Sequence, residues 1–161
     1  MWTGAPDGYL IRRVEARDRE AVARELAAYL AQIGEEIDRE GLDHDIAHWE
    51  REYGGASGVL LVIENPAGEI VGTAGVRSLE PGVGEIKRMW IRPACQGLGL
   101  GRRLMSLCLE EARALGFRAL RLDSERRMEA ALHLYRSSGF TEIPDYNGNP
   151  RAQIWMELKL S

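Results

Sequence analysis

Apolar positions recur along the chain in two periods, and the periods alternate. Tyr9-Leu10-Ile11-Arg12-Arg13-Val14 has the character of a first strand. Beyond it, Val22, Leu26, Tyr29, Leu30 and Ile33 recur three or four residues apart, which predicts one apolar stripe on a helix. Asp18 stands where it could cap that helix. Residues 35–52 are acidic and mixed and predict further short helix. Val59-Leu60-Leu61-Val62-Ile63 is an unbroken apolar run, as in a strand buried on both faces. Asn65-Pro66-Ala67-Gly68 is turn chemistry, and a second strand follows from Glu69 to about Ser78. After the turn Pro81-Gly82-Val83-Gly84, a third strand from Glu85 to Arg92 is closed by Pro93.

A glycine-rich loop, residues 96–101, runs directly into a helix. Its buried stripe is Gly101, Leu104, Met105, Cys108, Ala112 and Leu115, with Arg102, Arg103, Glu110 and Arg113 opposite and Gly116 as the stop. Arg118 to Asp123 reads as a strand, and residues 127–138 as a helix ended by Gly139. From Ile154 to Leu160 the chain alternates cleanly between apolar and polar residues. Helices come first, then a three-strand meander, then strand–helix–strand–helix–strand. That order predicts an α/β fold with a mixed, mostly antiparallel central sheet of six to seven strands and helices on both faces.

Composition narrows the function. A length of 161 residues, with 45% hydrophobic and 29% charged residues and no low-complexity run, predicts one domain over 1–161. A net charge of -4 argues against a nucleic-acid binder, whose phosphate contacts need a clustered basic surface. No run approaches the roughly 18 apolar residues that span a bilayer. Met1 to Asp7 lacks the basic start and apolar core of a signal peptide, and the two cysteines, Cys95 and Cys108, have no Cys-x-x-Cys spacing. A cytoplasmic protein with reduced thiols is the expectation.

The loop carries the chemistry. In Gln96-Gly97-Leu98-Gly99-Leu100-Gly101-Arg102, alternate glycines let the backbone turn tightly and aim several N–H groups into one concavity. That concavity sits at a helix N-terminus, where unpaired N–H groups and the dipole favour an anion, so a phosphate or pyrophosphate is the natural ligand. The spacing is not that of a P-loop, and no Gly-x-Gly-x-x-Gly is present. A dinucleotide reading would need Asp123 as its ribose-binding acid. The alternative is a tight strand-to-helix turn without a ligand.

Gln96-x-x-Gly99-x-Gly101 resembles the Arg/Gln-x-x-Gly-x-Gly/Ala signature of GNAT (Gcn5-related) N-acetyltransferases. The strand Glu85-Ile86-Lys87-Arg88-Met89-Trp90-Ile91-Arg92-Pro93 precedes it at the family's distance. Leu134-Tyr135-Arg136-Ser137-Ser138-Gly139-Phe140 is similar to the family's Leu-Tyr-x-x-x-Gly-Phe. Three motifs in order cover about residues 58–160. The resemblance implies the acyl-CoA N-acyltransferase fold, acetyl-CoA as co-substrate and no metal. The coenzyme's pyrophosphate would rest on the amides of Gln96, Gly97, Leu98, Gly99, Leu100, Gly101 and Arg102. Its pantetheine would pair with the backbone of Met89, Trp90 and Ile91 as an added strand does. A backbone N–H there would stabilise the oxyanion formed as an amine attacks.

The same resemblance implies Tyr135 as general acid on the departing thiolate; the plain reading is a core aromatic. Glu85 is the expected general base, acting through water, against a solvated strand-end charge. Met128 replaces the Asn that the family often places seven residues before the Tyr. The acceptor is a primary amine of a small molecule, with a protein or peptide amine as the rival. A non-catalytic acyl-CoA sensor and a nucleotide-binding protein of another fold are the other readings. Proteins of this fold often pair, so a homodimer is an open expectation. His44 and His48 lie four apart but lack the neighbouring Glu and third ligand of a zinc site, so no metal is assigned. His44, His48, Trp49, Tyr53 and the turn Tyr146-Asn147-Gly148-Asn149-Pro150 are candidates only for bordering the acceptor. Lys87 and Arg88 would attract the coenzyme's phosphates or be solvated.

Overall fold

In a computed structural model, residue 6, residues 8–38 and residues 40–161 are described. Most of the segment read for a signal peptide lies outside the described residues. Seven strands form one sheet in the order β1-β2-β3-β4-β5-β7-β6. They are β1 (Leu10–Arg13), β2 (Gly58–Glu64), β3 (Ile70–Glu80), β4 (Val83–Ile91), β5 (Ala119–Ser124), β6 (Thr141–Ile143) and β7 (Ile154–Lys159). Every neighbouring pair is antiparallel except β4 and β5. The helices are α1 (Arg19–Gln32), the short α2 (His44–Ala47) and α3 (Trp49–Glu52), α4 (Leu100–Ala114) and α5 (Glu129–Ser137).

The unbroken run in β2 is buried on both faces, as its composition requires. Val59, Leu61 and Ile63 pack in one cluster with Leu104 and Cys108 of α4 and Leu132 of α5. Leu60 and Val62 pack in another with Val22 of α1 and with Trp49 and Tyr53 beside α3. Helices therefore cover both faces. Burial pushes the Cys108 thiol up to about 12, so it behaves as a small hydrophobe. Among the described residues, no helix is long and apolar enough to cross a membrane.

Two local readings change. Asp18 precedes α1 but makes no side-chain capping bond to it; it closes the capping box of the short turn Ala16–Asp18 instead. It takes two bonds from Arg12, at 2.7 and 2.9 Å, and one from the Glu15 amide at 2.7 Å. A charged partner holds a buried carboxylate more strongly than a single cap does. The strand β6 is the second difference. Its three residues show no alternation, so only pairing with β7 defines it.

The mixed segment after α1 is fastened by charge. Arg88 of β4, whose side chain is 7% exposed, donates to Asp43 at 2.9 Å and to both oxygens of Asp45. Arg151, just ahead of β7, reaches the same Asp43 at 2.8 Å. The Tyr53 hydroxyl donates to Asp45. Burial alone would raise the Asp45 carboxyl, but the Arg88 guanidinium and the Tyr53 hydroxyl bring it from 3.8 down to about 2.

A carboxyl that binds its proton less readily when folded stabilises the fold above its unfolded pKa and loses that contribution as pH falls through the folded one. We therefore expect about 2 kcal/mol of stability to disappear between roughly pH 4 and pH 2 through this group. Urea unfolding of Asp45→Asn at pH 7 should show a loss of at least about 2 kcal/mol, because Arg88 is left short of a partner. The variant's stability should also fall less steeply than the parent's below pH 4.

Candidate active site

The parallel pair β4–β5 is short. Val83, Gly84 and Glu85 lie opposite Ala119, Leu120 and Arg121, and pairing ends there. β5 continues along β7, and β4 continues along β3 to Ile91. From Ile86 and Leu122 onward the two strands part, leaving their facing backbone edges free of each other. A bulge marks the parting. Thr73 lies opposite Trp90 but Gly75 opposite Lys87, and Arg88 has φ +59°. Thr73 Oγ1 donates to the Arg88 carbonyl at 2.6 Å, which fixes the bulged backbone.

Two cavities open in this gap, and Met89, Met128 and Ala131 line both. One, of 470 Å³, is bounded by Met89, Trp90 and Ile91 of β4, by the glycine loop and by the outer side of α5. Gly97 and Gly99 have φ +80° and +81°, and a Cβ on either would meet no atom within 4 Å. The loop is thus an open cradle at the N-terminus of α4, shaped as an anion site requires. Gln96, Gly97, Leu100, Gly101 and Arg102 border the cleft. Leu98 is 45% exposed, and Gly99 is the N-cap residue of α4. The Gln96 side chain donates to the Ile91 carbonyl at 3.1 Å and ties the loop to β4. The Trp90 indole turns the other way and donates to Glu25 at 3.0 Å. Acetyl-CoA fits this surface: an anion cradle, a free strand edge and a cavity join end to end.

The second cavity, of 280 Å³, lies between α1, β4, β5 and the loop before β7. Tyr29, Arg77, Lys87, Asp123, Tyr135 and Asn149 are among its lining residues. Tyr135 is buried, and its ring meets Phe140 edge-on at 6.1 Å between centroids. Burial first, then Tyr29 and Asp123 nearby, push its hydroxyl well above the usual tyrosine range. It therefore holds its proton.

Glu85 is 1% exposed, which rules out the solvated strand-end reading. Its carboxylate is 3.2 Å from the Arg77 guanidinium and accepts from the Tyr146 hydroxyl at 2.6 Å. It lines neither cavity. The Asn147 amide lies 2.6 Å from Asp123 and 3.4 Å from Glu85, so one side chain spans both carboxylates.

Sequence reasoning missed Arg77, Tyr29 and Arg151, whose places depend on contacts far along the chain. Lys87 and Arg88 line the second cavity and not the glycine-loop cleft. Asn147, Gly148, Asn149 and Pro150 do line the second cavity. His44, His48, Trp49 and Tyr53 do not, whereas His133 borders the cleft. His44 and His48 stack at 4.4 Å, and no group able to hold a metal occurs among the described residues.

Known proteins agree with this geometry. An uncharacterized N-acetyltransferase of Schizosaccharomyces pombe is 31% identical over 135 residues, 83% of each chain. A GNAT-family acetyltransferase of Staphylococcus aureus superposes with a TM-score of 0.86 at 19% identity, covering 95% of this chain and 99% of that one. YncA of Salmonella typhimurium, solved with its cofactor acetyl-CoA, gives a TM-score of 0.72 at 22% identity over 95% of this chain and 94% of its own. The sequence model of the acetyltransferase (GNAT) family matches residues 19–140. With its open glycine cradle, parted strands and buried tyrosine, the chain belongs to the GNAT family of acetyl-CoA-dependent N-acetyltransferases.

Proposed function

We propose that the chain passes the acetyl group of acetyl-CoA directly to the amine of a small molecule, with both substrates bound at once. The observation that carries this reading is the pair of cavities meeting at Met89, Met128 and Ala131. The coenzyme supplies a thioester carbonyl as electrophile. The amides of residues 96–102 hold its pyrophosphate, and the free edge of β4 at Met89 to Ile91 aligns its pantetheine. A β4 amide beside the Arg88 bulge donates to the carbonyl oxygen as charge develops there. A small acceptor suits the second cavity, which is walled on four sides by α1, β4, β5 and the loop before β7.

Two proton movements complete the reaction. An ammonium ion has no lone pair, so the acceptor must first lose a proton. We place that role on Asp123, which lines the acceptor cavity and, among the described residues, is held by the neutral amides of Asn147 and Asn149. Glu85, the base expected from sequence, positions the loop through Tyr146 and Asn147, because Arg77 already neutralises it. The amine nitrogen then bonds to the carbonyl carbon and the carbon–sulfur bond breaks. Tyr135 gives its proton to the departing sulfur and is reprotonated by the second proton that the acylated nitrogen sheds. The products are an amide, free coenzyme A and one proton released to solvent.

Calorimetric titration with acetyl-CoA tests the cradle. Gly97→Val with Gly99→Val should weaken binding at least about tenfold, since β-branched residues at positive φ force the loop out of shape. Unchanged affinity would remove the glycine loop from the reading. Tyr135→Phe should lower kcat by about 100-fold or more while leaving acetyl-CoA affinity intact, a range typical of a lost acid catalyst. Because the Tyr135 hydroxyl is pushed above 10, the parent's rate should show no alkaline decline from this group below pH 10. A limb centred below pH 9 that Tyr135→Phe abolishes would contradict the assignment.

A further inference from the structure

We propose that the acceptor is an amino acid, with Lys87 binding its carboxylate and Asp123 receiving its ammonium group. The inference rests on the acyl-transfer reading above and names the substrate class of the same cavity. It follows from accounting for every charge on the cavity wall. Arg77 is paired with Glu85 at 3.2 Å, and Arg88 with Asp43 and Asp45. Arg151 is paired with Asp43 at 2.8 Å, and Glu125 lies 3.3 Å from Arg127. Two lining charges remain without an opposite charge in contact among the described residues.

Lys87 is half-buried and makes no hydrogen bond or ion pair among the described residues. Asp123 accepts only from Asn147 at 2.6 Å and Asn149 at 3.3 Å, both neutral. A half-buried ammonium with no partner is a cost that a bound anion would remove, and the same holds for a carboxylate and a bound cation. The two charges come from opposite sides of the gap, Lys87 from β4 and Asp123 from β5. A ligand lying across the gap therefore meets a cation on one strand and an anion on the other. An amine without an acid group would leave Lys87 unmatched.

The test compares acceptors that differ only in the carboxylate: L-leucine against 3-methylbutylamine, and L-phenylalanine against 2-phenylethylamine. Thiol release is followed with the full chain, Lys87→Met and Lys87→Arg, and acetyl-CoA binding is measured alongside. In the parent, kcat/KM should favour each amino acid over its amine by roughly tenfold or more, the range of a charge-assisted hydrogen bond. Lys87→Met should bring that ratio close to one, chiefly by raising KM for the amino acid, and Lys87→Arg should restore most of it. Parity in the parent, a ratio that Lys87→Met leaves unchanged, or turnover of neither member of either pair would each overturn the proposal. Retained acetyl-CoA binding in those cases would leave the acyltransfer reading standing; its absence would remove both.

Discussion

The site depends on one interruption of the sheet: β4 and β5 pair over three residues and then separate. A strand edge that loses its neighbour exposes N–H and C=O groups that must be satisfied by water or by a ligand. Here the exposed edge is the one that an extended chain such as pantetheine can join. The bulge at Arg88 sustains the separation. Its left-handed backbone costs a non-glycine residue of order 1–3 kcal/mol, so surrounding contacts must enforce it. They do so from both ends of the residue. Thr73 holds the carbonyl, and Asp43 and Asp45 hold the buried guanidinium. The residue that bends the strand is thus the residue that fastens α2 and its flanking loop beside the second cavity.

Electrostatics separate the roles of the side chains around the gap. Tyr135 sits in an apolar setting between α5 and the sheet, and its desolvation keeps the phenol protonated beside the carboxylate of Asp123. Tyr146 is also pushed up, by burial and by Glu85, so it acts as a fixed donor to that carboxylate. Glu85 and Asp123 share the Asn147 amide yet differ in their surroundings, because Arg77 belongs to the first alone. Neighbouring acids with unequal counterions stand in unequal electrostatic surroundings.

The parts of the site legible in the sequence are those with local causes. Gly97 and Gly99 are required by positive φ, a demand that a single residue answers alone. The helix that follows, the doubly buried β2 and the placement of Tyr135 on the inner stripe of α5 are likewise periodic features. What escaped depends on distant partners. Arg88 meets Asp45 across 43 residues of sequence, and Arg151 meets Asp43 across 108. Asp18 shows the same competition in miniature: a residue suited to a local cap is taken by Arg12. Glu85 could be read as a base or as a solvated strand-end charge because nothing nearby in sequence announces Arg77 or Tyr146.

This difference divides the protein into halves with different freedom to change. The glycine-loop side needs a backbone shape, and glycines at fixed spacing supply it. The side of the second cavity is built around Arg88, Arg151, Asp43 and Asp45, two cations against two anions, with Asp43 fully buried. Altering one of these leaves a buried charge without its counterpart, which costs more than the pair contributes when intact. Tyr29, Lys87 and Asn149 line the same cavity from outside that network. Substitution at those three positions can reshape what the cavity accepts while the bulge, and with it the free edge of β4, stays in place.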